Sequence, residues 1–284
     1  MAENEIPFQE QWIQCLDSET QKILENEKTM QEFFDYLIRE RSNHTVFNKI
    51  MIRAYCPEAT DVRPKEAWEA VGVTVTKPDQ AIWTLRYWGR IWGWQPQLEY
   101  DISATSVAGS TLPSQRIPSD YLIQLLLCDT LVKLEFASEM SSLKAYYNAE
   151  TKVITYTGGY NSYDEVCSRF CREYVHSLMH PDDYRMRMLE WDRSGLEGAP
   201  PYRYNRAEYD SVATMAVYML EERFGLRKSK IRFYSNFNSL REARDYFQTA
   251  LSAANRLTFH LQDVDRRLQK EDAERAKAKK EGGE

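Results

Sequence analysis

No run of eighteen apolar residues occurs anywhere in the 284-residue chain. A membrane-spanning helix is therefore not expected, and a membrane is not among the expected partners. The amino terminus, MAENEIPFQEQW, is acidic and lacks an apolar stretch, so it does not read as a secretory signal. Cysteine is scarce: five residues, an odd number, widely scattered. That suits a reduced cytoplasm better than a disulfide framework. A basic surplus is also missing. Lys and Arg number 37 against 43 Asp and Glu, a net charge of −6, which argues against broad, non-specific attraction to nucleic acid while leaving room for a local basic site. No internal repeat is apparent.

What is present suits a folded protein. Hydrophobic residues make up 43% of the chain, enough for a core, and the length fits one large domain or two modest ones. Charge is uneven. Residues 1–30 hold seven acids and two bases, whereas residues 225–284 hold fourteen bases and nine acids. The final stretch, QKEDAERAKAKKEGGE, alternates signs without large apolar residues and reads as a frayed helix end and a solvated tail.

Periodicity predicts a helix from Ser18 to about Ser42, with Ile23, Met30, Phe33, Phe34 and Leu37 on one side. A second helix fits HTVFNKIMIRAY, stopped by Pro57, and a short one fits PKEAWEAVG, ended by Gly72. β-branched and aromatic runs follow, VTVT and AIWTLRYW. Residues 89–117 read as loop with a short strand near LEYDIS. SDYLIQLLLCDTL reads as a helix with Ser119 as N-cap. AYYNAETKVITYT reads as a hairpin turning at NAETK. A helix then starts near Ser162, residues 181–203 form a polar, proline-bearing loop, a helix runs from about Asn205 to Phe224 and is closed by Gly225, and a last long helix begins near Asn238. The order of helices, mixed β region and helices is an α+β pattern.

The helix after Ser162 contains CREYVHSLMH, residues 171–180. It resembles the zinc-protease motif H-E-x-x-H, in which two histidines one turn apart bind Zn²⁺ and the glutamate activates water. Glu173 and His176 stand in place, but the first histidine position holds Arg172, whose guanidinium has no lone pair for a metal. At about 100° per residue, Phe170, Cys171, Tyr174, Val175 and Leu178 gather around Cys167 on an apolar face, so both cysteines read as core. Arg169, Arg172, Glu173, His176 and His180 gather opposite. His176 and His180 form an i, i+4 pair that suits a metal or, equally, a polar surface.

The ordered segments YNAETKVITYT, CREYVHSLMH and EYDSVATMAVYMLEERFGL resemble the zincin domain of ArdC-type and ImmA/IrrE-like proteins of mobile elements. Upstream, FNKIMIRAYCPEATDVRPKEAWEAVGVTVT is similar to the ArdC-type pattern at Asn48, Pro57, Ala59, Thr60, Val62, Trp68 and Gly72, and YDISAT echoes a family FDISQT. Together the matches span about residues 30–225. The resemblance implies a helical N-terminal region with a small β part (1–117) and a zincin-like domain of hairpin, motif helix and second site helix with a long C-terminal helix (118–265); the composition makes 266–284 a charged, disordered tail.

Aligning SVA, Ser211 to Ala213, with the family pattern puts Asp210 at the acid that orients a ligand and Arg206 at the third ligand position. Arg206, Asp210, Ala213 and Val217 share one helix face, and Glu208 points about 160° away from Arg206. The resemblance therefore implies a degenerate cluster of Arg172, Glu173, His176, Arg206 and Asp210, with Glu173 a vestigial general base, no expected metal, and the two arginines supplying the missing positive charge. In the other register Glu208 is a ligand, and a rearranged Zn²⁺ site would use His176, His180 and Glu208.

IWTLRYWGRIWGW, residues 82–94, interleaves aromatic and basic residues as single-strand binding requires. Arg86, Tyr87, Trp88, Arg90, Trp92 and Trp94 are its candidate nucleic-acid contacts. ArdC-type N-terminal regions are associated with single-stranded DNA, but here KPDQ (77–80) replaces the family's Gly-rich, Lys-bearing turn. The same residues serve equally as β-sheet packing. The implied function is a catalytically inactive zincin-like interaction protein of a mobile element, acting against host defence, with single-stranded DNA or a host or phage protein as partner. The alternative is an active zinc metallopeptidase with a rearranged site.

Overall fold

The computed structural model describes residues 8–87, 93–109, 117–138, 144–179, 205–226 and 237–281. The architecture is α+β, with eight α-helices and two three-stranded sheets among the described residues. No described helix is long and apolar enough to cross a membrane, and all five cysteines are free thiols. The chain divides into two compact units, Met1–Ser114 with Arg232–Gln248, and Gln115–Ile231 with Thr249–Glu284. Residues 232–248, placed by chain order in the zincin-like part, thus cluster with the first unit.

The first unit begins with α1 (Phe8–Leu24), α2 (Glu27–Arg39) and α3 (Val46–Tyr55). The single helix expected from Ser18 to Ser42 is instead two. Asn26 breaks it: its side chain accepts from the Thr29 N–H at 3.0 Å while the Thr29 hydroxyl meets the Asn26 N–H at 3.2 Å. This reciprocal capping box starts α2 afresh. The buried face of α2 carries Phe33 and Phe34, whose rings lie 5.5 and 5.4 Å from that of Phe247. The buried Lys49 ammonium is paired with Glu40 and also donates to the carbonyls of Glu40 and Ser42 at 3.0 and 2.8 Å, so no charge there is stranded.

Strands β1 (Val62–Pro64), β2 (Ile82–Tyr87) and β3 (Trp94–Asp101) form an antiparallel sheet in the order β1-β3-β2, and α4 (Lys65–Glu69) follows β1. The short strand expected near LEYDIS is an eight-residue strand, because β3 pairs along all of β2, from Ile82 opposite Glu99 to Tyr87 opposite Trp94. VTVT forms no strand; only Val75 makes an isolated bridge, to Thr105. Several residues of the upstream resemblance are fasteners of this sheet. The Asn48 amide accepts from the Leu85 N–H at 2.9 Å and donates to the Leu85 carbonyl at 2.8 Å. Asp101 of YDIS accepts from the Thr60, Asp61 and Ser103 N–H groups at 2.8, 3.1 and 3.0 Å. The Trp68 indole donates to the Tyr100 carbonyl at 2.9 Å.

The second unit holds α5 (Ser119–Cys128), β4 (Lys133–Phe136), β5 (Ala145–Asn148), β6 (Val153–Tyr156), α6 (Tyr163–Leu178) and α7 (Arg206–Phe224). It also holds most of α8 (Leu240–Glu281). Ser119 is the first residue of α5, not its cap; Pro118 occupies the cap position without a side-chain bond. β5 and β6 make the expected hairpin. Asn148 closes its turn by accepting from the Glu150 and Thr151 N–H groups at 2.9 and 3.2 Å. β4, which the sequence reading missed, joins β6 in parallel, giving the order β4-β6-β5. Gly225 ends α7 in the left-handed conformation at φ 68°, as a C-terminal glycine does. Residues 266–281, expected as a frayed helix end passing into a disordered tail, are helical throughout, the last turns of α8. They lack an apolar stripe and are laced by i, i+4 pairs such as Lys270–Glu274 and Arg275–Glu271, which add about 0.2–0.5 kcal/mol each.

Candidate functional site

The site lies where α6, α7 and β5 meet in the second unit. Ser162 caps α6 by accepting from the Glu165 N–H at 3.2 Å. The helix then lays Cys167, Phe170, Cys171, Tyr174, Val175 and Leu178 in the core. Burial pushes the Cys167 thiol up to about 12 and the Cys171 thiol well above its ordinary value, so both behave as inert apolar groups. The polar face of α6 is not solvated as a surface stripe would be: Glu173 is 2% exposed and His176 fully buried. Asn205 caps α7 by accepting from the Ala207 N–H at 3.1 Å, and this fixes Arg206 at the first helical position.

Arg206 meets Glu173 in a two-pronged ion pair, Nη1 to Oε2 at 2.9 Å and Nη2 to Oε1 at 2.7 Å. Glu173 Oε2 also accepts from the Tyr147 N–H of β5 at 2.6 Å. Behind Arg206, the Tyr146 ring centroid lies 4.6 Å from the guanidinium carbon, within cation–π range. One carboxylate thus ties β5, α6 and α7 together. The second arginine pairs with the second acid: Arg172 Nη2 donates to Asp210 Oδ1 at 2.6 Å and Nη1 to the Thr214 hydroxyl at 3.1 Å. Thr214 donates in turn to the Asp210 carbonyl at 2.8 Å. His176 Nε2 stands 3.5 Å from the same Asp210 Oδ1, at the outer limit of a hydrogen bond.

The electrostatics follow. Burial, with the Arg206 and Arg172 cations adding to it, lowers the His176 pKa despite the opposing pull of Asp210 and Glu173. The histidine is therefore neutral near pH 7. The nearby His176 imidazole and the Arg172 cation hold the half-exposed Asp210 well below the usual carboxylate range, against the partial loss of its hydration. Two guanidinium charges stand against two carboxylates, so the cluster is balanced.

The structure brings together Arg172, Glu173, His176, Arg206 and Asp210. Of the rearranged metal set, His180 and the side chain of Glu208 lie outside the described residues. The sequence reading missed Tyr146, Tyr147 and Thr214. Thr214 follows Asp210 by one helical turn, the spacing that signals a shared face; the backbone N–H of Tyr147 has no sequence signature. In the first unit, Tyr87 and Trp94 face each other across β2 and β3 with ring centroids 5.4 Å apart; Arg86 is exposed, but as the adjacent residue of β2 it projects from the opposite face of the sheet. Trp83 and Leu98, a cross-strand pair four residues along the same two strands, are each 40% exposed. Trp88, Arg90 and Trp92 lie outside the described residues.

No family model and no curated protein matches the sequence. Among solved structures, the Mn(II)-bound crystal structure of the antirestriction ArdC protein from plasmid R388 matches with a TM-score of 0.50 at 14% identity, covering 88% of this chain and 97% of that one. The fold is ArdC-like. The metal-free form of the R388 protein matches with a TM-score of 0.46 at 13% identity, covering 87% and 98%.

The Mn(II) of the R388 protein poses a test for this ArdC-like chain. A divalent ion needs deprotonated oxygen or nitrogen lone pairs directed at one point. Here both Glu173 oxygens and Asp210 Oδ1 accept from guanidinium N–H groups. Among the described residues no three His, Cys, Asp or Glu side chains converge as a metal set. Among the described residues, the donors do not fit the ion.

Proposed function

We propose that this chain is an ArdC-like antirestriction protein of a mobile element that acts by binding rather than by peptide hydrolysis, on a zincin-like scaffold whose catalytic centre has become a salt-bridge cluster. The observation that carries this reading is the state of Glu173. A general base must present a free lone pair to a water within about 2.6–3.2 Å. The Glu173 carboxylate is buried, accepts from two Arg206 nitrogens, and accepts again from the Tyr147 N–H. Of about four lone-pair sites on a carboxylate, three are engaged.

Association with single-stranded DNA belongs to the same reading. Its support is the cross-strand Tyr87–Trp94 ring contact and the exposed Trp83 on the small sheet, aromatic side chains of the kind on which bases stack without sequence preference. Two assays test the proposal together. The chain is expressed in a restricting host and incoming unmodified plasmid is scored for survival. The purified protein is incubated with unfolded casein in the presence of Mn(II) or Zn(II). Protection without hydrolysis is the expected result. Absence of protection removes the antirestriction reading. Hydrolysis that disappears in Glu173→Gln establishes the metallopeptidase alternative.

A further inference from the structure

We propose that Arg172 and Arg206 together act as a built-in dication, carrying the charge that a divalent metal carries in a metal-binding relative, so that the junction of α6, α7 and β5 forms and persists without any ion. The inference rests on the ArdC-like reading and deepens it by naming what balances the acids of the site. Two guanidinium groups bring the same +2 as Mn(II) or Zn(II), and they bring it in divided form. Arg206 serves Glu173 with both prongs, at 2.9 and 2.7 Å, and Arg172 serves Asp210 at 2.6 Å. A guanidinium is charged at every physiological pH and matches a carboxylate edge to edge.

The arrangement also excludes the ion. Arg206 is held between the Glu173 carboxylate and the Tyr146 ring at 4.6 Å, so leaving would forfeit a charge-assisted bond and a cation–π contact together. Arg172 is fixed on its other prong by Thr214 at 3.1 Å. An incoming cation would meet two resident positive charges and occupied lone pairs. Conversely, Arg172→His with Arg206→Glu would remove both cations and leave Glu173 and Asp210 without their guanidinium partners. It would also set imidazoles at positions 172 and 176 one turn apart on α6, with a carboxylate opposite on α7. That set suits a divalent ion with an open position.

The full chain and the Arg172→His/Arg206→Glu variant are each equilibrated with excess Mn(II) or Zn(II) and freed of unbound ion. Metal is then counted by mass spectrometry, and Tm is measured with and without EDTA. Wild type should carry no stoichiometric metal and keep its Tm in EDTA. The variant should take up one ion per chain and gain Tm when metal is added. Should the variant not fold, a thermal double-mutant cycle with Arg206→Met and Glu173→Gln replaces it. Each single change should lower Tm by roughly 5–10 °C, and the pair should lose clearly less than the sum. Stoichiometric metal in wild type, a Tm that falls in EDTA, a folded Arg172→His/Arg206→Glu variant that takes up no ion, or an unchanged Tm in Arg206→Met overturns the proposal. Plasmid survival is scored separately. A metal-free wild type that fails to protect sinks only the antirestriction reading, whereas a protecting wild type that holds metal sinks only the built-in dication.

Discussion

Replacing Glu173 by alanine isolates the central contact of the site. The change removes a carboxylate that accepts three hydrogen bonds, two from Arg206 and one from the Tyr147 N–H. Breaking a buried ion pair from one side costs about 3–5 kcal/mol. The Arg206 side chain retains 24% exposure, so water recovers part of its hydration and the lower end of that range applies. The Tyr147 N–H, on a residue 2% exposed, is left buried without its acceptor, which costs about 1–3 kcal/mol. The two losses share one cavity and do not add fully, so about 4 kcal/mol is expected. At about 2–4 °C per kcal/mol for a unit of this size, Tm falls by roughly 8–16 °C. The assay is thermal unfolding by circular dichroism, with Lys28→Ala as control. Lys28 is 85% exposed and pairs with Glu32 at only 3.7 Å, so its loss should stay within about 0.5 kcal/mol. A Glu173→Ala protein that melts with wild type would refute the claim that this carboxylate fastens β5, α6 and α7.

The remaining expectations concern pH, the sheet and nucleic acid. His176 has a folded pKa below its ordinary value and Asp210 one well below its own. Both therefore contribute stability that is complete above their unfolded pKa values, about 6.5 and 3.9, and that drains away as pH falls. Tm should decline from about pH 6.5 downward, and His176→Gln should flatten the part between about pH 6.5 and 5; an equal slope in the variant would contradict the assignment. Asn48→Ala loses both hydrogen bonds to the Leu85 backbone and should destabilise the first unit by about 2–3 kcal/mol, read as earlier amide exchange in β2. Trp83→Ala with Trp94→Ala should weaken single-stranded DNA binding by about 1–3 kcal/mol per stacked base without lowering Tm, checked by fluorescence anisotropy across a salt series; unchanged affinity would remove the sheet from the interface.

How much of this was legible depended on whether the signal was local. The apolar stripe of α6 fixed which of its residues face the core, and the opposite stripe gave Arg172, Glu173 and His176 in one place. The register of SVA put Arg206 and Asp210 on one face of α7, and the structure pairs each with the arginine or acid of α6. Gly225 and the NAETK turn were readable because only a few residue types suit those backbones. Asn26 was overlooked, since a cap inside a continuous apolar period looks like helix until its reciprocal bonds are seen. β4 was overlooked because KLEF is short and its partner β6 is remote in sequence and parallel, leaving no hairpin signal. Tyr147 contributes a backbone N–H, which residue identity does not announce.

The most direct measurement is the metal content of the wild-type protein after equilibration with excess Mn(II) and Zn(II) and removal of free ion. The account predicts no stoichiometric metal, because Arg206 and Arg172 already occupy the carboxylates of Glu173 and Asp210. One tightly held ion per chain, lost on His176→Ala, would contradict it.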